Sequence, residues 1–389
     1  MFRPDFTQSV LALRLLPTAP IRKGKDSVAQ FDSAVGFFLP AVGARLEAAP
    51  LRDLDPADEE VLVQVAGCGI CHTDVGFAHD GVPTRHPLPL VLGHEIAGTV
   101  VAAGRSAQRW IGEHVIVPAV IPCGSCVACR GGRPSICRRQ FMPGNDGHGG
   151  FATHVKVPAR GLCPVPATLP ASIPLAWLSV VADAVTTPYE AVRRACLRAD
   201  HVAVFVGVGG VGGFGVQIAA ALGAAVVAID IDDERLALAG RHGASLTLNA
   251  RAVDFKTLKA SVRAFVADSG HQGLGLRVFE TSGTTAGQQT AFGLLDFGGH
   301  LGVVGYTPKP VEVRLSNLMA LDATAAGNWG CAPDRYPEAL ALVIDGKIRL
   351  DEFVDTYPLD RAADVFDDVV HHRLSRRAIL TPLAGKEHQ

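Results

Sequence analysis

The chain has 389 residues, enough for two or three domains at roughly 100–200 residues each. Lys and Arg number 36 and Asp and Glu 38, a formal net charge of −2 that argues against non-specific nucleic-acid binding or a polybasic membrane-surface role. Hydrophobic residues at 48% exclude wholesale disorder, and 42 Gly with 25 Pro but no G-X-Y period indicate a turn-rich chain, not collagen.

Residues 1–33 carry Arg22, Lys23 and Lys25 without clear periodicity and read as an extended N-terminal arm. Val10–Leu16 is apolar but short, contains Arg14 and is followed by no small-residue cleavage site, so no signal peptide is read. From Ala34 to about Val181 the pattern predicts short strands between Gly and Pro turns, among them Val61–Ala66, Ile96–Val101 and His114–Val117. This is a barrel-like β-rich region. Near Leu178 the pattern changes. Val202–Val206 reads as a buried parallel strand, followed by a glycine cluster and a helix to about Leu222. Ala225–Ile229 reads as a second strand, Asp233–His242 as a second helix, and Arg277–Glu280 and His300–Gly305 as further strands. Strands alternating with helices predict a doubly wound parallel sheet, so the class is α/β. The apolar run Val202–Ile229 is long enough for a membrane span, but its seven glycines, five of them between Gly207 and Gly213, fit strand–turn–helix–strand better. A soluble, cytoplasmic protein is expected. From about Asn328 the tail returns to mixed short elements.

Gly207-Val208-Gly209-Gly210-Val211-Gly212 fits G-x-G-x-x-G. Alone the motif is weak, because glycine turns are common. Here it follows a predicted strand and opens a predicted helix, the context a dinucleotide site requires. Gly207 permits the tight turn, Gly209 the approach of the pyrophosphate, and Gly212 close helix–strand packing. The helix N-terminus offers free N–H groups to the phosphates. Asp230 ends the next predicted strand, 23 residues after Gly207. Its carboxylate suits two ribose hydroxyls and repels a 2′-phosphate, as do Asp232, Asp233 and Glu234. NAD is therefore favoured over NADP.

Four of the nine cysteines, Cys123, Cys126, Cys129 and Cys137, share one short segment. An odd total, this clustering and no secretory signal point to metal binding over disulfides. The spacing C-x2-C-x2-C-x7-C suits a closed tetrahedral zinc site. A ferredoxin-type iron–sulfur site would continue with x3 and a Pro, whereas Arg138 follows Cys137 here. A filled S4 shell leaves no position for substrate, so this zinc is structural. Cys71 and His94, in Cys71-His72-Thr73-Asp74 and Gly93-His94-Glu95, are good zinc ligands too. Each alone reads as readily as an ordinary buried residue. Together they suggest a second metal site.

These motifs, with Gly67–Asp74, make the chain from about residue 34 resemble the zinc-dependent medium-chain alcohol dehydrogenases. The resemblance implies a GroES-like β-rich catalytic domain with the structural zinc lobe over 34–184 and a Rossmann NAD-binding domain over 185–327. The chain would return to the catalytic domain over 328–389, leaving 1–33 as an extension and the active site in the cleft. It implies two zinc ions, the catalytic one held by Cys71, His94 and Asp183. Many relatives carry Cys where Asp183 precedes Thr186-Thr187-Pro188-Tyr189; a carboxylate is an acceptable ligand and keeps the formal charge. By the same resemblance Glu95 is a second-layer or alternating ligand, and Asp74 orients His94. Thr73 takes the substrate's hydroxyl proton. His72 and Arg377 meet the pyrophosphate, Arg235 lies near the adenosine ribose, and Thr187 and Val211 pack on the nicotinamide. Several relatives complete the proton relay with a His three residues beyond the hydroxyl; Gly76 stands there. The family forms homodimers or homotetramers. Zinc-free enoyl or quinone reductases of the same superfamily would lack Cys71, His94 and the lobe.

A narrower resemblance rests on Pro118–Cys123 (PAVIPC), Met142–Asp146 (MPGND), Val180–Tyr189 (VVADAVTTPY), Arg314–Met319 (RLSNLM) and Asn328–Cys331 (NWGC). These segments are similar to the branch of 6-hydroxycyclohex-1-ene-1-carbonyl-CoA dehydrogenases. That implies NAD-dependent oxidation of a ring hydroxyl on an acyl-CoA thioester in anaerobic benzoyl-CoA degradation. The competing expectation is a secondary-alcohol or polyol dehydrogenase acting on a free alcohol. The product of the first would be an alkene conjugated to two carbonyls, an acceptor for water. Hydration by the same site, with Glu95, Thr73 or another polar group handling the proton, is a further expectation. His371, His372, Arg373, Arg376 and Arg377 form a basic cluster that meets either solvent or CoA phosphates.

Overall fold

The computed structural model describes residues 33–271 and 275–382. Residues 1–32 of the expected N-terminal arm lie outside that range. The β-rich part is built on a sheet of seven strands, in the order Val354–Pro358, Arg377–Thr381, Glu60–Gly69, Glu95–Ala103, His114–Val117 and Cys163–Pro164, with His154–Pro158 also on Glu60–Gly69. All pairings are antiparallel except that of the two C-terminal strands. Glu60–Gly69 is its spine: Val61, Leu62, Val63 and Val65 are buried. Register shifts at Leu62/Val63 and Val65/Gly67 bend this strand where it runs toward Cys71, as bulges do. A small sheet of Glu47–Pro50, Val35–Leu39 and Leu90–Val91 stands beside it.

The second large sheet is parallel throughout. Its order is Leu246–Asn249, Ala225–Asp230, Val202–Val206, Arg277–Glu280, His300–Val303 and Thr324–Gly327. All five residues of Val202–Val206 are buried, because helices cover both faces, which is why the strand is an unbroken apolar run. Phe205 stacks on Phe279 of the adjacent strand at 4.8 Å between ring centroids. Helices Gly212–Ala221, Asp233–Arg241, Phe255–Asp268 and Thr285–Leu294 connect the strands. Three of the four start on a side-chain cap: Asp232, Asp254 and Thr284 each accept from backbone N–H groups of the first turn. Strand order reverses between Val202–Val206 and Arg277–Glu280, and ligands of such sheets bind at that switch point. The expected α/β class, GroES-like and Rossmann-like, is the one observed. No helix among the described residues is long and apolar enough to cross a membrane.

Candidate active site

The glycine turn leaves Val202–Val206 at the switch point. Gly207 has φ +90°, a region only glycine enters freely, and a Cβ there would strike Ser282. A Cβ on Gly212 would collide with the carbonyl oxygen of Gly207. These two glycines let the helix start against the turn, leaving its first N–H groups facing the cleft. Asp230 is buried and already accepts three backbone bonds. Its Oδ2 receives Val208 N–H at 2.7 Å, and its Oδ1 receives Ile231 and Asp232 N–H at 2.7 and 3.2 Å. Gly207, Gly209, Val211, Asp230 and Arg235 all line one cleft, and Thr187 and Arg377 join them.

The opposite wall carries the metal-ligating groups. Donor atoms of Cys71, His94, Glu95 and Asp183 lie within 4.8 Å of one another. Asp74 assembles this group from two separate segments. Its Oδ2 accepts Cys71 N–H at 2.9 Å, and its Oδ1 accepts Gly93 N–H at 3.1 Å and faces His94 Nδ1 at 3.2 Å. Nε2 of His94 is thereby turned to the site, 3.5 Å from Asp183 Oδ2. The same oxygen lies 3.5 Å from Cys71 Sγ. Asp183 follows the buried 3₁₀ helix Leu175–Ala182, whose last carbonyl accepts the Tyr336 hydroxyl at 2.5 Å. Its Oδ1 is held by the Thr187 hydroxyl. Tetrahedral zinc with N, O and S ligands at about 2.0–2.3 Å has ligand–ligand edges of roughly 3.3–3.7 Å, which these separations match. Burial disfavours charge on His94, yet the charge of Asp74, with hydrogen bonds that the His94 ring makes to Asp183, Asp74 and Cys71, raises its pKa well above the ordinary value. Burial likewise opposes the charge on Asp183, but His94 and Thr187 hold it well below the carboxylate range. The donor set carries an excess of negative charge, and a divalent cation fits it.

Glu95 is fully buried and pairs with Arg377: Nε donates to Oε2 at 2.8 Å and Nη2 to Oε1. Burial pushes the Glu95 carboxyl up to about 6, with the Arg377 charge opposing. The third guanidinium nitrogen, Nη1, would lie 2.8 Å from a Cβ on Gly210. Arg377 therefore joins the metal-ligating group to the glycine turn. Thr73 faces the cleft, its Oγ1 3.7 Å from Cys71 Sγ. The His72 ring stacks on His372, centroids 5.4 Å apart. Enclosure in the cleft, then the charges of Arg377, His372 and Arg235, lower His72 to about 4. His372 was legible only as part of a basic cluster. Of that cluster His372 and Arg377 line the cleft, whereas His371, Arg373 and Arg376 pair with Asp367, Asp368 and Asp355.

Cys123, Cys126, Cys129 and Cys137 also converge within 4.8 Å, and none is in a disulfide. Sulfur separations of 3.5, 3.7 and 4.0 Å compare with about 3.8 Å for four thiolates at 2.3 Å around one ion. A backbone bond from Ser125 is foremost in lowering Cys123 to about 5. The cage fits zinc.

Residues 57–167 match the alcohol dehydrogenase GroES-like domain, and residues 210–345 match the zinc-binding dehydrogenases. The chain is 30% identical over 325 residues to an alcohol dehydrogenase of Geobacillus stearothermophilus, covering 82% of this chain and 91% of that one. It is 27% identical over 329 residues to L-galactonate-5-dehydrogenase of Escherichia coli (strain K12), covering 84% and 93%. A solved zinc-binding dehydrogenase from Sinorhizobium meliloti 1021, bound to NADP, is similar at TM-score 0.77 and 26% identity, covering 90% of this chain and 99% of that one. The chain belongs to the zinc-dependent medium-chain alcohol dehydrogenase family. It is an enzyme, a nicotinamide-dependent oxidoreductase acting on CH–OH groups.

Proposed function

We propose that this enzyme uses NAD to oxidise a ring secondary alcohol on a CoA thioester, 6-hydroxycyclohex-1-ene-1-carbonyl-CoA to its 6-oxo compound, in anaerobic benzoyl-CoA degradation. What carries this reading is where the segments of narrower resemblance fall. Ala119, Val120, Met142, Asp183, Asn328 and Trp329 come from four of the five segments, and all line the cleft. Arg314–Met319 alone contributes nothing to it. The cleft volume of about 1940 Å³ also exceeds the roughly 300–1,000 Å³ of ordinary small-molecule sites, room for a dinucleotide and a large second substrate.

Zinc held by Cys71, His94 and Asp183 would supply a Lewis acid, and NAD a hydride acceptor. The protein's own groups set the geometry. Thr73 takes the hydroxyl proton. Asp74 fixes the tautomer of His94, and Thr187 fixes the rotamer of Asp183. Arg377 keeps the glycine turn at a set distance from Glu95 and its neighbours. Asp230 receives the adenosine ribose, which favours NAD over NADP. With Gly76 in place of an imidazole, the proton leaves through the ribose, water or another cleft group.

The relatives named above act, by name, on free alcohols or a sugar acid, so a free secondary alcohol or polyol is the competing substrate class. NADH formation from the cyclic hydroxyacyl-CoA, measured against a panel of free secondary alcohols, decides. A higher kcat/KM on any free alcohol overturns the thioester reading.

A further inference from the structure

The cleft has an arm beyond Cys71, His94 and Asp183 whose wall is borrowed from the four-cysteine lobe. Residues 132–136 line it, and they are the chain between Cys129 and Cys137. The cage therefore holds both ends of this wall. Gly132 turns it at φ +72°, and Arg133 N–H is bonded to Ala128 O at 2.9 Å, so the position of Arg133 is set by the lobe.

Four arginines, Arg133, Arg193, Arg194 and Arg335, face this arm against the lining carboxylates Glu190 and Asp334 and, paired with Arg193 and Arg335, Glu338, four cations to three anions. That local excess of positive charge runs against a chain whose net charge is −2. Arg193 lies 3.8 Å from both Glu190 and Glu338, and Arg335 3.7 Å from Asp334 and 3.1 Å from Glu338. Arg194 meets neutral oxygens, Gly327 O at 2.7 Å and Asn328 Oδ1 at 3.4 Å. Arg133 is exposed and has no ion pair among the described residues. Ile136 and Trp329, each 50% exposed, add apolar surface to the same arm. Two guanidinium groups without carboxylate partners, beside apolar side chains in a cleft, form a receptor for an anion attached to an apolar body.

We propose that this arm binds an anionic group of the substrate, a carboxylate or a phosphate several atoms from the reacting hydroxyl. Arg133 is the specificity-determining contact and Arg194 its companion. The proposal rests on the dehydrogenase reading and names the charge class of its substrate.

The test uses the full-length enzyme and three ring alcohols: a neutral cyclohexenol, the same ring bearing a free carboxylate, and its CoA thioester. For Arg133→Ala, the kcat/KM of charged over neutral alcohol falls roughly five- to thirty-fold, the loss of one partly screened charge-assisted bond. Arg133→Lys restores part of it. A fall confined to the carboxylate assigns the anion to that group; a fall confined to the thioester assigns it to the CoA phosphates. An unchanged ratio overturns the proposal. Binding of cyclohexenecarboxylate and its CoA thioester to the enzyme–NADH complex, followed by NADH fluorescence, reads the same contact without turnover. Weaker binding to Arg133→Ala in an enzyme that oxidises no alcohol leaves this site standing while the dehydrogenase reading falls. Equal binding with turnover intact sinks this site alone.

Discussion

Asp230→Asn tests the cofactor site through an atom-by-atom count. A carboxylate offers about four lone-pair positions. In this protein three are used by Val208, Ile231 and Asp232 N–H, so one is left for a ribose hydroxyl. Asparagine keeps the shape but can accept at only one atom, and its amide N–H faces one of the backbone donors. One hydrogen bond to a charged group contributes about 1.5–3 kcal/mol, so NAD binding should weaken roughly 10- to 150-fold. NADP gains instead. A carboxylate about 5 Å from a phosphate charge costs roughly 3 kcal/mol per unit charge at an effective dielectric constant near 20. The ratio of kcat/KM for NAD over NADP should therefore collapse by two orders of magnitude or more. Asp232, Asp233 and Glu234 remain, so the variant does not become NADP-selective. Saturation curves for both cofactors at fixed alcohol, with NADH binding by fluorescence, provide the numbers. Equal kcat/KM for the two cofactors in the unaltered enzyme, or an Asp230→Asn variant with unchanged NAD binding, would refute the reasoning.

Elemental analysis should give two zinc ions per chain. Cys71→Ser or His94→Ala should remove one zinc and turnover but leave the fold, whereas Cys126→Ser should remove the other and lower thermal stability; one zinc in the unaltered protein, or iron with visible absorbance, contradicts this. Gly212→Ala places a methyl against the Gly207 carbonyl and 2.7 Å from Thr281 Oγ1. Overpacking of this kind costs about 1–3 kcal/mol, and here it displaces the phosphate turn, so the KM for NAD should rise at least roughly tenfold with zinc content unchanged. A normal KM would show that the turn tolerates the shift.

Legibility in the sequence follows how local each feature is. Val202–Val206 can be read because burial on both faces removes any alternation. The cysteine cage and the glycine turn are short-range patterns, each closed within about twenty residues. The strand predicted at His300–Gly305 ends at Val303 instead, because Val304 and Gly305 N–H both turn to Glu280 O on the next strand. That is a tertiary bond with no local mark. Glu47–Pro50 was not legible as a strand: it is mostly exposed, lacks alternation and forms only by pairing with Val35–Leu39. Leu175–Ala182 is apolar along nearly its whole length, so no period distinguishes its 3₁₀ turns. Asp183 was found by resemblance alone, since a single Asp carries no pattern. The Glu95–Arg377 pair spans 282 positions, and the Arg133 wall needs three distant segments; neither is visible before folding.

The Glu95–Arg377 pair also bears on the hydration expected from the sequence. The expected product is an alkene conjugated to both a ketone and a thioester, and water adds to such an alkene when one group removes its proton and another protonates the carbon next to the carbonyl. Both oxygens of Glu95 are engaged by Arg377, and the carboxylate is fully buried. Using Glu95 as the base would break a buried ion pair, a loss of about 3–5 kcal/mol. Thr73 faces the cleft and makes no such pair. We therefore assign the proton of any hydration to Thr73 and cleft water, with Glu95 as a positioning residue. Purified enone given to zinc-replete enzyme should lose its conjugated absorbance faster than in buffer. Thr73→Val should abolish that acceleration together with alcohol oxidation. Loss of absorbance no faster than in buffer, with or without bound cofactor, would mean that the protein is a dehydrogenase only. Acceleration that survives Thr73→Val would place the base elsewhere in the cleft.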